Sequence, residues 1–138
     1  MRRLRVFDLL CICTCLLSLS ISVSGQEITL KGVISIGSNP FGVDFSGNGE
    51  NAYIANSGDN NISVISASSL SSSFMAVGKM PKFPVASPDG KLVYVPNYYS
   101  YNVSVIDTAS NMVVAAILTG VYPTSIVFSD DGTRCVAY

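Results

Sequence analysis

The sequence predicts an all-β chain of successive four-stranded antiparallel units, preceded by an N-terminal export segment. Two observations carry the fold prediction. A Gly-x-x-Pro segment recurs at steps of 41 and then 42 residues, ending on Pro40, Pro81 and Pro123. A period of about 40–45 residues is that of a propeller blade of four short strands. After residue 26, runs rich in Val, Ile, Tyr and Phe alternate with clusters of turn-forming residues, which is typical of short strands joined by tight turns.

The first 25 residues have the organisation of a secretory signal peptide. Three arginines precede an apolar stretch of 15 residues, Leu9–Val23, and Val23-Ser24-Gly25 offers a small-residue cleavage site. We therefore expect a signal-peptide helix over residues 1–25, a mature start at Gln26, and a secreted, periplasmic or cell-surface location. The alternative is an uncleaved anchor, although the stretch is shorter than the roughly 20 apolar residues of a membrane span.

Charge and apolar pattern limit the partners of residues 26–138. This part has five basic and eight acidic side chains, a net charge of −3, without a basic cluster. Nucleic acid is therefore not expected as a partner. No second long apolar run follows, so no membrane span is expected after signal cleavage.

Residues 26–138 predict a partial propeller of about two and a half blades. We expect a single strand over residues 28–36, blades over 41–77 and 82–118, and a half blade over 123–138. A Ser-x-x-Gly turn follows the first strand of each unit, as in Ser87-Pro88-Asp89-Gly90. Runs of adjacent apolar residues predict strands covered on both faces, as in Tyr53-Ile54-Ala55 and Val113-Val114-Ala115-Ala116.

The chain resembles, over about residues 32–138, the YVTN-repeat β-propellers of secreted and surface-layer proteins. Two segments carry the resemblance: Ser87-Pro88-Asp89-Gly90-Lys91-Leu92-Val93-Tyr94-Val95-Pro96-Asn97 and Asn102-Val103-Ser104-Val105-Ile106-Asp107-Thr108. The namesake tetrapeptide occurs as Tyr94-Val95-Pro96-Asn97 and Tyr53-Ile54-Ala55-Asn56, both without its threonine. The resemblance implies the propeller architecture. Because similar repeats occur in surface-layer proteins, lactonase-like propellers and periplasmic redox propellers, it does not imply one function.

A closed propeller needs about four to eight blades, which makes the expected ring incomplete. A partial gene product is one explanation. Assembly with further copies of the chain is another. The expected partners are therefore neighbouring blades or further copies, with a cell-envelope protein or glycan as a further possibility.

Catalytic chemistry has little support in the sequence. The chain has no histidine, which excludes a Ser-His-Asp triad and histidine-ligated zinc. We predict no catalytic, cofactor-binding or metal-binding residue. Asp44, Asp130 and Asp131 are the candidates for an acid–base pair, and roles in turns or at solvated strand ends explain them better.

Two features after residue 26 are candidates for modification or binding. Asn61-Ile62-Ser63 and Asn102-Val103-Ser104 are glycosylation sequons at equivalent repeat positions, unless their asparagines only close hairpin loops. Tyr98, Tyr99 and Tyr101 form an aromatic loop that could hold a sugar or peptide by stacking. The alternative for these tyrosines is packing against the next blade.

The sequence therefore favours an exported, non-enzymatic propeller repeat protein with a structural or binding role at the cell surface. The alternative is a fragment of a lactonase-like or periplasmic redox propeller enzyme, with its catalytic residues in other blades.

Overall fold

The computed structural model describes residues 21–23, 26–28 and 32–138, which fall into two units divided after Ser35. In the first unit, β1 (Ile21–Val23) and β2 (Gln26–Ile28) pair as an antiparallel hairpin. The expected signal-peptide helix lies outside the described residues, apart from the three residues of β1, which are extended. Residues 32–37 contain no strand. The single strand expected over 28–36 is therefore absent over the described residues 32–36.

The second unit consists of two four-stranded antiparallel meanders and a final two-stranded sheet. The first blade has the order β3-β4-β5-β6, formed by Pro40–Phe45, Asn51–Asn56, Asn61–Ser66 and Ser72–Ala76. The second blade has the order β7-β8-β9-β10, formed by Val85–Ala86, Leu92–Asn97, Asn102–Asp107 and Met112–Leu118. A two-stranded sheet follows, formed by β11 (Ile126–Phe128) and β12 (Cys135–Ala137). The all-β fold of four-stranded antiparallel units is confirmed.

Strand β7 is the shortest strand of the second blade. Only Val85–Ala86 join the ladder, beyond an isolated bridge from Pro81 to Asn97. Pro84 limits the strand, because proline has no N–H to donate to the neighbouring strand.

The core lies between the first and second blades. It joins Tyr53, Ala55, Ile62 and Val64 of the first blade to Val93, Val95 and Ile106 of the second. Strands β4, β5, β8 and β9 are buried at most of their positions. The prediction that runs of adjacent apolar residues are covered is therefore right for β4 and β8. Burial of these side chains is the dominant favourable term that holds the two blades together.

The same prediction is wrong for β10. All seven of its residues are exposed, up to 83% for Leu118. The reason is its position: β10 is the outermost strand of the second blade and pairs only with β9. Adjacent apolar residues at a sheet edge leave a hydrophobic surface without a partner in the described part of the chain.

The three Ser-x-x-Gly turns share one hydrogen-bonded design. In the turn at Ser87, the Gly90 N–H donates to the Ser87 carbonyl at 2.8 Å, and Gly90 has a φ of +72°, which glycine adopts without strain. The Ser87 hydroxyl donates to the Asp89 carboxylate at 2.7 Å and accepts from the Leu92 N–H at 3.0 Å. The turns at Ser46 and Ser129 repeat this network with Asn48 and Asp131.

These turns predict a loss of stability in acid. Hydrogen bonds from Ser129 and Thr133 lower the pKa of Asp131 to about 2, and a bond from Ser87 lowers the pKa of Asp89. A lowered folded-state pKa gives stability that is present above the ordinary value of 3.8 and lost as pH falls through the folded value. We expect the urea midpoint to fall between pH 4 and pH 2, and the Ser129→Ala variant to fall less. An unchanged acid slope in that variant would contradict this assignment.

Candidate functional site

The Gly-x-x-Pro connections and the loops over residues 57–60 and 98–101 lie at one edge of the blades, here called the loop face. The Ser57 N–H donates to the Asn39 carbonyl at 3.0 Å, and the Tyr98 N–H donates to the Met80 carbonyl at 3.1 Å. The Ser-x-x-Gly turns lie at the opposite ends of the same strands. The antiparallel meander therefore places the two loop types together.

A buried asparagine fixes each blade at the loop face. The Asn97 amide donates to Asn102 Oδ1 at 2.9 Å and to Ser104 Oγ at 2.8 Å. A Cβ added to Gly78 would lie 2.6 Å from the Asn97 side chain, so the Gly-x-x-Pro glycine lets the backbone pass over this amide. Asn56, Asn61, Ser63 and Gly37 repeat the arrangement in the first blade.

The two glycosylation candidates, Asn61 and Asn102, are therefore hydrogen-bond acceptors in these buried networks. Their sequon serines, Ser63 and Ser104, are buried and accept from the same amides. This gives the repeated Asn-x-Ser pattern a structural explanation. Glycosylation stays a prediction, and the buried serines require it to precede folding.

The three predicted loop tyrosines come together with a fourth, Tyr122. The Tyr122 ring centroid lies 4.8 Å from that of Tyr98, 6.3 Å from Tyr99 and 5.1 Å from Tyr101. A hydrogen bond with Tyr122 raises the pKa of Tyr101. Tyr122 belongs to the next Gly-x-x-Pro connection, so the cluster packs across the junction that follows the second blade. Three of its four rings still reach solvent, since Tyr99, Tyr101 and Tyr122 are exposed.

Lys82 is the least expected residue of the loop face. Its side chain is only 7% exposed, and its ammonium lies 3.8 Å from the centroid of Phe41 and 5.5 Å from that of Tyr98. Within the described residues it forms no ion pair. Aromatic faces stabilise a cation only partly, so this charge is desolvated without the anion that normally accompanies a buried lysine.

A cavity of about 470 Å³ opens beside Lys82, between the first and second blades. Its lining combines cations, amides and apolar surface: Asn39, Pro40, Phe41, Ser57, Asn60, Lys79, Met80, Lys82 and Tyr99. Its size is in the usual range for small-molecule sites, about 300–1,000 Å³. Sequence reasoning named Tyr99 as a binding candidate and missed Phe41, Lys79 and Lys82. The available signal was the replacement of an aromatic residue, Phe41, by a lysine at the equivalent position after the next proline.

The repeat shows why a cavity forms at this junction. Ser57 and Asn60 line it, and the residues one repeat later are Tyr98 and Tyr101. At the second junction these tyrosines, with Tyr122, occupy the corresponding place. The first junction is open because its loop carries the small side chains of Ser57 and Asn60, whereas the loop at the second junction carries tyrosine rings at the equivalent positions.

The carboxylates considered for acid–base chemistry lie away from this cavity. Asp44 accepts a hydrogen bond from the Ala86 N–H at 2.9 Å and so links the first blade to the second. Asp131 is held within its turn, and a pKa of about 2 makes it a poor general base. Asp130 lines no part of the cavity. Among the described residues, no group of three or more His, Cys, Asp or Glu side chains is arranged to hold a metal ion.

Comparison with solved structures places the fold among the β-propellers. The chain is similar to hydrazine synthase of Kuenenia stuttgartiensis, with 26% identity and a TM-score of 0.68 over 84% of this chain and 32% of that one. It is also similar to a protein of Bacteroides uniformis described as a 6-phosphogluconolactonase, with 17% identity and a TM-score of 0.67 over 86% and 39% of the two chains. A dihydro-heme d1 dehydrogenase matches at 25% identity and a TM-score of 0.52 over 56% and 17%.

These comparisons define the chain as a β-propeller segment. It spans about a third of the hydrazine synthase chain and about two fifths of the Bacteroides uniformis chain. No protein-family model matches it, and the curated proteins include no significant match. No helix of the described part is long and apolar enough to cross a membrane.

Proposed function

We propose that the chain supplies ligand-binding surface to a propeller of the lactonase-like or redox type. The observation that carries this proposal is the inter-blade cavity beside the unpaired, buried Lys82. A structural repeat has no need to desolvate a cation next to an open cavity, because the cost of burial is recovered only when an anion or dipole meets the charge.

The structural similarities support this alternative better than a surface-layer role. The similar proteins include one described as a 6-phosphogluconolactonase and another that is a dihydro-heme d1 dehydrogenase. The first description names a phosphorylated lactone, and the second names a dihydro-heme d1. At 17% identity, the similarity to the lactonase shows a shared fold only. Ligand binding by this chain is argued from its cavity.

The segment contributes binding rather than bond-breaking chemistry in this proposal. The cavity contains two lysines and no carboxylate, histidine or cysteine, so it has no acid–base pair of its own. Any catalytic groups therefore belong to parts of a propeller other than the described residues.

Ligand-observed NMR on the purified chain tests the proposal against a panel of sugar lactones, sugar phosphates and tetrapyrrole carboxylates. We expect at least one saturable ligand, and its signal should be lost when Ser57 and Asn60 are both replaced by tyrosine. The panel should include hydrolysis of 6-phosphogluconolactone, for which we expect no turnover. Absence of any ligand, together with tight adsorption to isolated cell envelopes, would instead support the surface-structural role.

A further inference from the structure

The polar groups of the cavity are mainly hydrogen-bond donors. The Met80 N–H donates to Asn60 Oδ1 at 2.8 Å, which leaves the Asn60 Nδ2 as the free end of that amide. The Ser57 hydroxyl proton is already used, since Ser57 Oγ donates to the Pro81 carbonyl at 2.5 Å. Lys79 and Lys82 add ammonium groups, which only donate. A ligand group that meets the two ammonium groups and the Asn60 Nδ2 must accept hydrogen bonds.

The charge distribution points the same way. Residues 26–138 carry a net charge of −3, yet two of the four cationic residues described by the structure line this cavity. No carboxylate is among the lining residues. The nearby Asp59 is held by Ser38, whose N–H donates to it at 2.7 Å and whose hydroxyl also donates to it. The cavity is therefore a local positive site on a negative chain.

The remaining wall is apolar. Pro40, Phe41, Met80 and Tyr99 supply it, and Phe41 is braced by an edge contact with Phe83 at a centroid distance of 5.0 Å. Tyr99 is 55% exposed and meets Tyr98 and Tyr122 by edge contacts, so part of its ring surface can still stack on a bound molecule. An inorganic ion would leave this wall uncovered, whereas a ring or short carbon chain would fill it.

From these contacts we infer that the cavity binds a small organic anion, with its phosphate or carboxylate at Lys82 and its ring or apolar part against Phe41, Met80 and Tyr99. The inference rests on the proposed binding function and deepens it by fixing the ligand class and the residue that selects it. Lys82 is a specificity-determining residue in this account, because a neutral ligand would leave its buried charge unpaired.

Calorimetry with three probes tests the ligand class: phenyl phosphate, inorganic phosphate and benzyl alcohol. We expect saturable binding of phenyl phosphate, and binding at least about tenfold weaker for the ion without the ring and for the ring without the charge. Raising the salt concentration should weaken phenyl phosphate binding. Equal affinity for phenyl phosphate and benzyl alcohol, or no saturable binding of phenyl phosphate, would overturn the inference.

Two substitutions locate the site. Lys82→Met keeps the length of the side chain and removes its charge, and we expect an affinity loss of about tenfold or more. Lys91→Met is the matched control. It also removes one positive charge, but from a side chain that is 80% exposed and lies in the Ser87 turn, outside the cavity. We expect it to bind like the wild type, and equal losses in the two variants would contradict the inference.

A second pair of substitutions keeps the test decisive if Lys82→Met fails to fold. Replacing Ser57 and Asn60 by tyrosine reproduces the ring-filled second junction in the first, so we expect a folded chain without phenyl phosphate binding. Retained binding would overturn the inference. A neutral ligand from the broader panel that binds equally to wild type and Lys82→Met would preserve the proposed function and reject the anion site.

Discussion

The Asn97→Leu variant is expected to lose about 2–4 kcal/mol of unfolding free energy. Asn97 is fully buried, and its amide donates to both Asn102 Oδ1 and Ser104 Oγ. Leucine has a similar shape and no donor, so two acceptors lose their partner at the point where Gly78 passes over the side chain. Urea denaturation followed by tyrosine fluorescence measures the effect, since the chain has seven tyrosines and no tryptophan.

A double-mutant cycle with Ser104→Val separates the hydrogen bond from simple packing. Asn97→Leu leaves Asn102 Oδ1 and Ser104 Oγ without their donor, and Ser104→Val leaves an Asn97 N–H without its acceptor. The double variant removes both partners of the Asn97–Ser104 hydrogen bond and leaves only Asn102 Oδ1 without a donor. We therefore expect the Asn97→Leu/Ser104→Val variant to be less destabilised than the sum of the single variants. A cost below about 1 kcal/mol for Asn97→Leu, or additive costs, would show that this amide does not fix the loop face.

Self-association of the wild-type chain is the second large effect we expect. Strand β10 presents seven exposed residues without a charge, and its outer edge has no pairing strand in the described structure. Val127, Val136 and Tyr138 of the final sheet are also exposed. An uncharged apolar edge strand is a template for pairing with another chain. Light scattering after size exclusion should therefore show oligomers or aggregates.

Charges placed on β10 should reverse this behaviour. We expect Val114→Lys combined with Ile117→Lys to shift the chain towards monomer, because a pairing strand would have to bury or oppose the lysines. Ser73→Lys is the control, since it adds a lysine to β6, the outer strand of the first blade. A sharp wild-type monomer peak, or an equal effect of Ser73→Lys, would contradict association through β10.

Most of the second unit could be predicted from the sequence because its signals are local and repeated. The turn at Ser87 combines a proline, an aspartate and a left-handed glycine within four residues, and the structure forms the expected hairpin there. The strand positions follow from such turns. Coverage of a strand depends on distant residues instead: β4 and β10 are both apolar at adjacent positions, but β4 is an inner strand of its blade whereas β10 is an edge strand.

The candidate site was less accessible to sequence reasoning. The loop position of Tyr98, Tyr99 and Tyr101 followed from the meander, whereas their contacts with Tyr122 depend on how the next connection crosses the blade. Lys82 lies in a Pro-Lys-Phe-Pro stretch that resembles an ordinary solvated connection. Its burial against Phe41 arises only when two blades stack, and no local pattern reports that contact.

An amide NMR titration of the chain with phenyl phosphate tests the central claim, that the first inter-blade junction is a binding site, most directly. We predict saturable shifts for the backbone amides of Asn60, Met80, Lys82 and Tyr99, which surround the cavity. The amides of Gly49, Gly90 and Gly132, in the turns at the opposite strand ends, should not move. Shifts centred on those glycines, or no saturable shift at the cavity, would contradict the account.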